Sequence, residues 1–232
     1  MSLGSVIQEL REFDTALLAN TIGYIDPTPA EEYYMAGTIQ SVTPSLGPTV
    51  GVSVTCEIDT STPGGVANMG NFWQQVDRIN DMEEPVVWVV KTTGSRPDHE
   101  CVLGDGMAKG LYAAGCIGAV ADGGLRDVSG LLSIPFAAYC TGITIHHCAL
   151  RFGTMDQPIE VGGITVSPGD VIHADPEGVI RIPPTCLDAL SDAAVRMRAF
   201  ESEAHFLMRR TDLTPSDKPG LTKQLLGKYG FA

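Results

Sequence analysis

Asp105, Arg126 and Asp127 stand at either end of one short segment, and each is a residue type with chemistry to offer. An arginine beside an aspartate directly after a strand is a useful pairing. The guanidinium can grip a carboxylate through two parallel hydrogen bonds, and the aspartate can hold a hard divalent cation. Upstream, Gly104-Asp-Gly106 opens a helix. A tight turn on those glycines would free the N–H groups of Gly106, Met107 and Ala108 to point at an anion. If the flanking strands are parallel neighbours, both turns reach the same sheet edge.

The same residues admit a second ligand and a purely structural role. GxGxxxG before a helix, with Asp122 ending the next strand, is compatible with a dinucleotide and its ribose. Against this, only Cys101-Val-Leu103 can serve as the lead-in strand, and Lys109 occupies the place of the third fingerprint glycine. Asp105 alone would serve as an N-cap with Lys109 as its i+4 partner, and Arg126-Asp127 alone as a surface turn. Lys91, at the end of Pro85-Val-Val-Trp-Val-Val90, is the lysine placed for desolvation and hence for Schiff-base chemistry. The six cysteines (56, 101, 116, 140, 148, 186) include no CxxC pair and read as small buried apolar residues. His146 and His147 beside Cys148 raise the alternative of a nucleophile with its base.

Strands and helices must position these groups. Val6, Leu10, Phe13 and Leu17 predict an amphipathic helix over 5–19. Further helices are expected at about 68–81, 105–114 and 185–209, the last capped by Thr185. The run 85–90 reads as a strand buried on both faces, and 117–121 as another. Residues 133–182 are β-prone and rich in Gly and Pro, which argues against repeated βαβ units. The tail 211–232 predicts a short helix at most. No linker divides the chain, so 1–232 reads as one α/β domain.

The 232 residues carry 28 acids and 15 bases, a net charge of −13. Such a surface repels phosphate backbones and anionic lipid, which disfavours direct nucleic-acid or membrane binding. The charged N-terminal stretch lacks an apolar leader core and no apolar run is long enough to span a bilayer, so the expected location is cytoplasmic.

The segment DGMAKGLYAAGCIGAVADGGLRD resembles the core of the class II pyruvate aldolases that cleave 4-hydroxy-4-methyl-2-oxoglutarate, and of their relatives, the RraA-like regulators of ribonuclease activity. The aldolases share an Asp, twenty residues and then Arg-Asp; here these are Asp105, residues 106–125 and Arg126-Asp127. Similarity extends to residues 14–23, 162–170 and 175–183, over roughly 10–210. The resemblance implies a layered β/β/α fold like the swivelling phosphohistidine domain, with a long C-terminal helix, assembled as homotrimers or homohexamers. It also implies a Mg²⁺ or Mn²⁺ site with Asp127 as the protein ligand and Asp105 oriented toward bound water. Arg126 and the amides of Gly106, Met107 and Ala108 would hold the pyruvyl group of a small oxo-acid substrate. The implied activity is cleavage of a 4-hydroxy-2-oxo acid to pyruvate, with oxaloacetate decarboxylation as a side activity. The alternative is a non-catalytic regulator that binds a ribonuclease or another protein. The aldolases borrow a Glu from the neighbouring subunit's C-terminal helix, for which Glu203 is preferred and Glu201 is the other candidate. Gly130 departs from the family pattern, since many relatives carry an acid three positions after the Arg-Asp aspartate.

Overall fold

A computed structural model describes residues 2–147 and 149–232. In chain order the elements are α1 (Leu3–Leu10), α2 (Thr15–Ile25), β1 (Gln40–Ser41), β2 (Thr49–Asp59), α3 (Met69–Asn80), β3 (Val86–Thr92) and β4 (Cys101–Leu103). They continue with α4 (Asp105–Ala113), β5 (Cys116–Ala121), β6 (Gly124–Leu125), α5 (Val128–Leu131), β7 (Ala137–Cys140), β8 (Gly142–Ile143) and β9 (Arg151–Met155). The chain closes with β10 (Ile159–Val161), β11 (Ile164–Val166), β12 (Val171–Asp175), β13 (Gly178–Ile182), α6 (Leu187–Arg209) and α7 (Lys218–Lys228).

One mixed sheet runs in the order β1-β7-β5-β3-β2-β12-β13. β2, β3, β5 and β7 are parallel. On its other edge β2 pairs antiparallel with β12 through its first half and with β9 through its second. Side-chain alternation along β3 explains the layers. Val86, Trp88 and Val90 face a core shared with α1, α2, α3, α4 and α6. Val87 and Val89 face a second core, closed by the β10–β11 hairpin and by Met35 and Ile39. The result is the expected single β/β/α domain with a long C-terminal helix. Trp88 is fully buried; its Nε1 donates to Gln75 Oε1 at 2.7 Å, and Gln75 donates to the Thr55 carbonyl at 3.0 Å. Those two bonds satisfy a buried amide on α3 that otherwise costs about 1–3 kcal/mol.

Several local expectations are corrected. The predicted helix 5–19 is two helices, because Asp14 leaves helical geometry and caps α2 by accepting from Leu17 N–H at 2.8 Å. Thr185 does not cap α6; its hydroxyl donates to Asp26 Oδ2, and Cys186 takes the N-cap position without a side-chain capping bond. The tail helix α7 is 11 residues long and folds back along α6. Arg196 of α6 donates to the Tyr229 carbonyl at 2.7 Å and lies over the Phe231 ring. Cys56, Cys101, Cys116, Cys140 and Cys186 are buried, with burial pushing the Cys116 thiol up to about 12. Cys148, and with it the nucleophile reading, lies outside the described residues. Among the described residues no helix is long and apolar enough to cross a membrane.

Candidate active site

A second, small sheet carries the chemistry. β4, β6 and β8 pair in parallel, in that order. Gly104-Asp105 follows β4, Arg126-Asp127 follows β6, and the segment from Thr144 to His147 follows β8. Parallel pairing therefore puts all three carboxyl-terminal ends on one edge, the usual seat of ligands in such sheets. Backbone bonds lock the ends together. Arg126 N–H donates to the Leu103 carbonyl at 3.0 Å, Gly124 N–H to Glu100 at 3.1 Å, and Thr144 N–H to Leu125 at 2.9 Å. Their common cavity, about 510 Å³, is lined by Asp105, Gly106, Met107, Arg126, His146 and His147 among others.

Gly104 has an ordinary φ of −120°, so the expected tight turn is not why glycine stands there. The reason is closeness: a Cβ would lie 2.7 Å from Asp127 Oδ2 and 3.0 Å from Arg126 Nε. Gly106 also lacks a left-handed backbone and has open space around a Cβ. Ala108 N–H donates to the Gly104 carbonyl at 3.1 Å, which takes it out of the expected set of free amides. Gly106 and Met107, in the first helical turn, have no such helical acceptor. Asp105 is the first residue of α4 and not its cap, the N-cap position being Gly104.

Asp105 Oδ2 accepts from Lys109 Nζ at 2.5 Å. That bond holds the Asp105 carboxyl below its usual range, helped by the Gly106 N–H and the Arg126 charge against partial desolvation. Asp105 is thus a carboxylate at neutral pH. Asp127 has a left-handed backbone (φ 58°, ψ 43°) and makes no side-chain capping bond to α5. Its side chain is 41% exposed, with Oδ2 at 3.4 Å from Arg126 Nε. A Cβ at Gly130 would stand 2.5 Å from Asp105 Oδ2. The acidic side chain that many relatives carry there has no room beside Asp105 as placed.

No three His, Cys, Asp or Glu side chains cluster to hold a metal among the described residues. A lone exposed carboxylate at Asp127 nevertheless suits Mg²⁺ or Mn²⁺, hard cations content with one or two carboxylates and a shell of water. The other sequence candidates lie apart. Glu203 Oε1 accepts from Lys228 Nζ and Tyr229 OH, both at 2.6 Å, and lines a different cavity with Phe206 and Arg210. Glu201 accepts from Asn20 at 3.1 Å. Lys91 is paired to Asp122 at 2.6 Å and is partly exposed, which removes the desolvation a Schiff-base lysine needs. Asp122 also accepts from the N–H and hydroxyl of Thr92, so it is no free ribose ligand. Sequence reasoning missed His146 and His147 as cavity residues; they reach the cavity because β8 joins β6.

A β/β/α domain presenting an Arg-Asp pair and a Gly-Asp-Gly turn on adjacent parallel strand ends defines a site for a small anion beside a carboxylate. Residues 25–181 match the RraA-like family model, described as Aldolase/RraA, and the chain belongs to that family. Among curated relatives, it is 30% identical over 133 residues to Protein DlpA of Legionella pneumophila, covering 56% of this chain and 21% of that protein. It is 39% identical over 79 residues to the "Putative 4-hydroxy-4-methyl-2-oxoglutarate aldolase" of Halalkalibacterium halodurans, covering 34% of this chain and 36% of the relative. The chain thus matches only about a fifth and about a third of these relatives' lengths. Streptomyces coelicolor RraAS2, an unusual member of the RNase ES inhibitor RraA protein family, shares the fold with a TM-score of 0.70 at 21% identity. That likeness covers 89% of this chain and 99% of RraAS2.

Proposed function

We propose that this protein is a divalent-metal-dependent carbon–carbon lyase that cleaves a 4-hydroxy-2-oxo acid to pyruvate. The observation that carries the reading is the convergence of Asp105, Arg126 and Asp127 on neighbouring parallel strand ends, with Asp105 and Arg126 lining one cavity. Asp127 would hold Mg²⁺ or Mn²⁺, which when bound supplies Lewis-acid stabilisation of negative charge on the 2-oxo oxygen. Arg126 binds and orients the substrate carboxylate, and the Gly106 and Met107 amides favour an anion beside it. The C3–C4 bond breaks as the C4 hydroxyl loses its proton and becomes a carbonyl. Its electron pair passes to the pyruvyl fragment, whose C3 then takes a proton to become a methyl group. Asp105, ionised at neutral pH, orients the water that accepts the C4 hydroxyl proton. Oxaloacetate decarboxylation generates the same charge on the same fragment and is expected as a side activity. The active form in this reading is a homotrimer or homohexamer, with Glu203 or Glu201 of a neighbouring subunit completing each site.

The test is pyruvate release from a panel of 4-hydroxy-2-oxo acids with Mg²⁺, repeated in chelator. Release that stops on chelation and returns with added metal supports the reading. Full activity in chelator, with borohydride and substrate trapping a lysine adduct, would overturn it. No turnover alongside tight binding to a ribonuclease would favour the regulator instead.

A further inference from the structure

The main sheet ends beside the small one, and a single residue bridges the two. Glu100, immediately before β4, is fully buried, yet it joins no ion pair among the described residues. Its carboxylate is filled by the turn that follows β2. Oε2 accepts from the Thr60 N–H at 2.8 Å and from the Thr60 hydroxyl, and Oε1 accepts from the Ser61 hydroxyl at 2.9 Å. Each hydroxyl is used twice. Thr60 Oγ1 accepts from Cys101 N–H at 2.8 Å, and Ser61 Oγ accepts from Arg96 N–H at 3.0 Å, so the chain on both sides of Glu100 is held to the same turn. The backbone of Glu100 faces the site. Its carbonyl accepts from Gly124 N–H of β6 at 3.1 Å and from the Thr144 hydroxyl after β8 at 3.0 Å. Arg126 stands two residues beyond Gly124, and Asp105 five beyond Glu100.

Three glycines leave room for this arrangement. A Cβ on Gly94 would overlap Glu100 Oε1, one on Gly124 would lie 2.8 Å from the Glu100 carbonyl oxygen, and one on Gly123 would lie 3.1 Å from the Glu100 Cβ. Burying a carboxylate without a cation is unfavourable, and an apolar side chain would fill the space without that cost. What a carboxylate adds is two oxygens that only accept. Glutamine would put an amide N–H₂ in place of one of them, facing either the Thr60 N–H or a hydroxyl that already donates.

We propose that Glu100 is a positioning residue for the reaction. Its carboxylate clamps β4 to the end of the main sheet, and its carbonyl sets β6 and the stretch after β8 against β4, which fixes Arg126 relative to Asp105. The catalytic part of this assignment rests on the aldolase reading. The test compares the wild-type protein with Glu100→Gln and with Thr144→Val, which removes the hydroxyl given to the Glu100 carbonyl and keeps the Thr144 N–H bond to Leu125. Pyruvate release at saturating Mg²⁺, metal titration, thermal unfolding and amide hydrogen exchange are followed on each protein. Both variants should lose at least about tenfold in kcat/KM per folded molecule, since a misplacement of about 1 Å can lower a rate about 10²-fold. Mg²⁺ affinity should be unchanged, because Asp127 and water suffice for that cation. Exchange should quicken over 101–105, 124–127 and 142–147 and stay as in the wild-type protein over α6, β12 and β13. If Glu100→Gln does not fold, Ser61→Ala replaces it, since it leaves Glu100 Oε1 without its hydroxyl donor and keeps the charge; the same losses are expected. Full kcat/KM at either end of Glu100, or exchange raised throughout the chain with turnover intact, would overturn the proposal and leave the aldolase reading standing. No pyruvate release by the wild-type protein would overturn the aldolase reading and the catalytic part with it, while exchange quickened only at the three stretches would still establish Glu100 as the clamp of the site.

Discussion

Asp127 combines two demands that pull apart. Its left-handed backbone favours glycine, and a β-carbon there costs about 1 kcal/mol. Its carboxylate is what the proposed metal needs. Asp127→Gly is therefore expected to melt no earlier than the wild-type protein while losing Mg²⁺ binding and turnover together, as seen by thermal unfolding, metal titration and pyruvate release. At Arg126 the charge is not enough. Arg126→Lys should lose about 10²-fold or more in kcat/KM, because a point ammonium cannot reproduce a planar fork. Asp105→Asn should lower kcat by about 10²-fold with little change in Tm, since its side-chain partner among the described residues is the exposed Lys109. A mutant that melted early yet turned over normally would make Asp105 a structural residue only. These three residues were legible in the sequence because the spacing spans one helix and the strand β5, although β6, the short strand that sets Arg126-Asp127 beside β4, was not read from the pattern. His146 carries no such spacing. It reaches the cavity through the β6–β8 pairing, which no window of sequence displays.

The break between α1 and α2 shows where pattern misleads at the scale of elements. Val6, Leu10, Phe13 and Leu17 keep helical spacing, and all are buried, yet the helix stops between them. What wins is a polar knot from the distant β12. Thr15 N–H donates to Asp175 Oδ2 at 2.7 Å, and His173 Nε2 donates to the Leu10 and Phe13 carbonyls at 3.2 and 3.1 Å. Those two carbonyls require a hydrogen on Nε2, and in the neutral ring Nδ1 accepts from the Thr15 hydroxyl at 2.9 Å. Burial pushes the His173 pKa below its ordinary value, against the opposing pull of Asp175. Because the folded pKa is depressed, the unfolded chain binds the proton first. Stability is then complete above about pH 6.5 and declines as pH falls below it. Wild-type Tm is expected to drop between pH 7 and pH 5. His173→Gln should start lower, through lost bonds, but change less across that interval. An equal slope in both proteins would remove His173 from the acid response. The long helix α6 and the doubly buried β3 were legible for the opposite reason: their own periodicity agrees with the packing around them.

At the scale of the whole molecule, the proposed neighbour Glu places a requirement on assembly. Glu203 spends its oxygen on Lys228 and Tyr229 of its own chain, whereas Glu201, among the described residues, accepts from Asn20. Asp127→Ala and Glu203→Gln proteins should each be inactive. Unfolded together and reassembled, they should recover part of the wild-type rate, since some interfaces would pair two intact residues. The same mixture with Glu201→Gln tests the other register, and mass measurement confirms mixed oligomers. No recovery in either mixture would place the whole site within one chain. The layered architecture was legible mainly through the family resemblance. Composition and periodicity alone reached one α/β domain and stopped, because the fork at β2 and the three-stranded small sheet arise from long-range pairings.

That small sheet, only three, two and two residues deep, has an evolutionary consequence. The turns after β4 and β6 pack against each other at Gly104 and Asp127, while the loop after β8 leaves from its own strand end. In the roles proposed, the turns after β4 and β6 hold the reactive end of the ligand, and most changes there would be lethal to activity. In those roles the stretch after β8, which Thr144 ties to Leu125 and Glu100, has more room to vary. Lineages of this fold can then acquire new substrates by rewriting that single loop, leaving the reaction itself inherited intact.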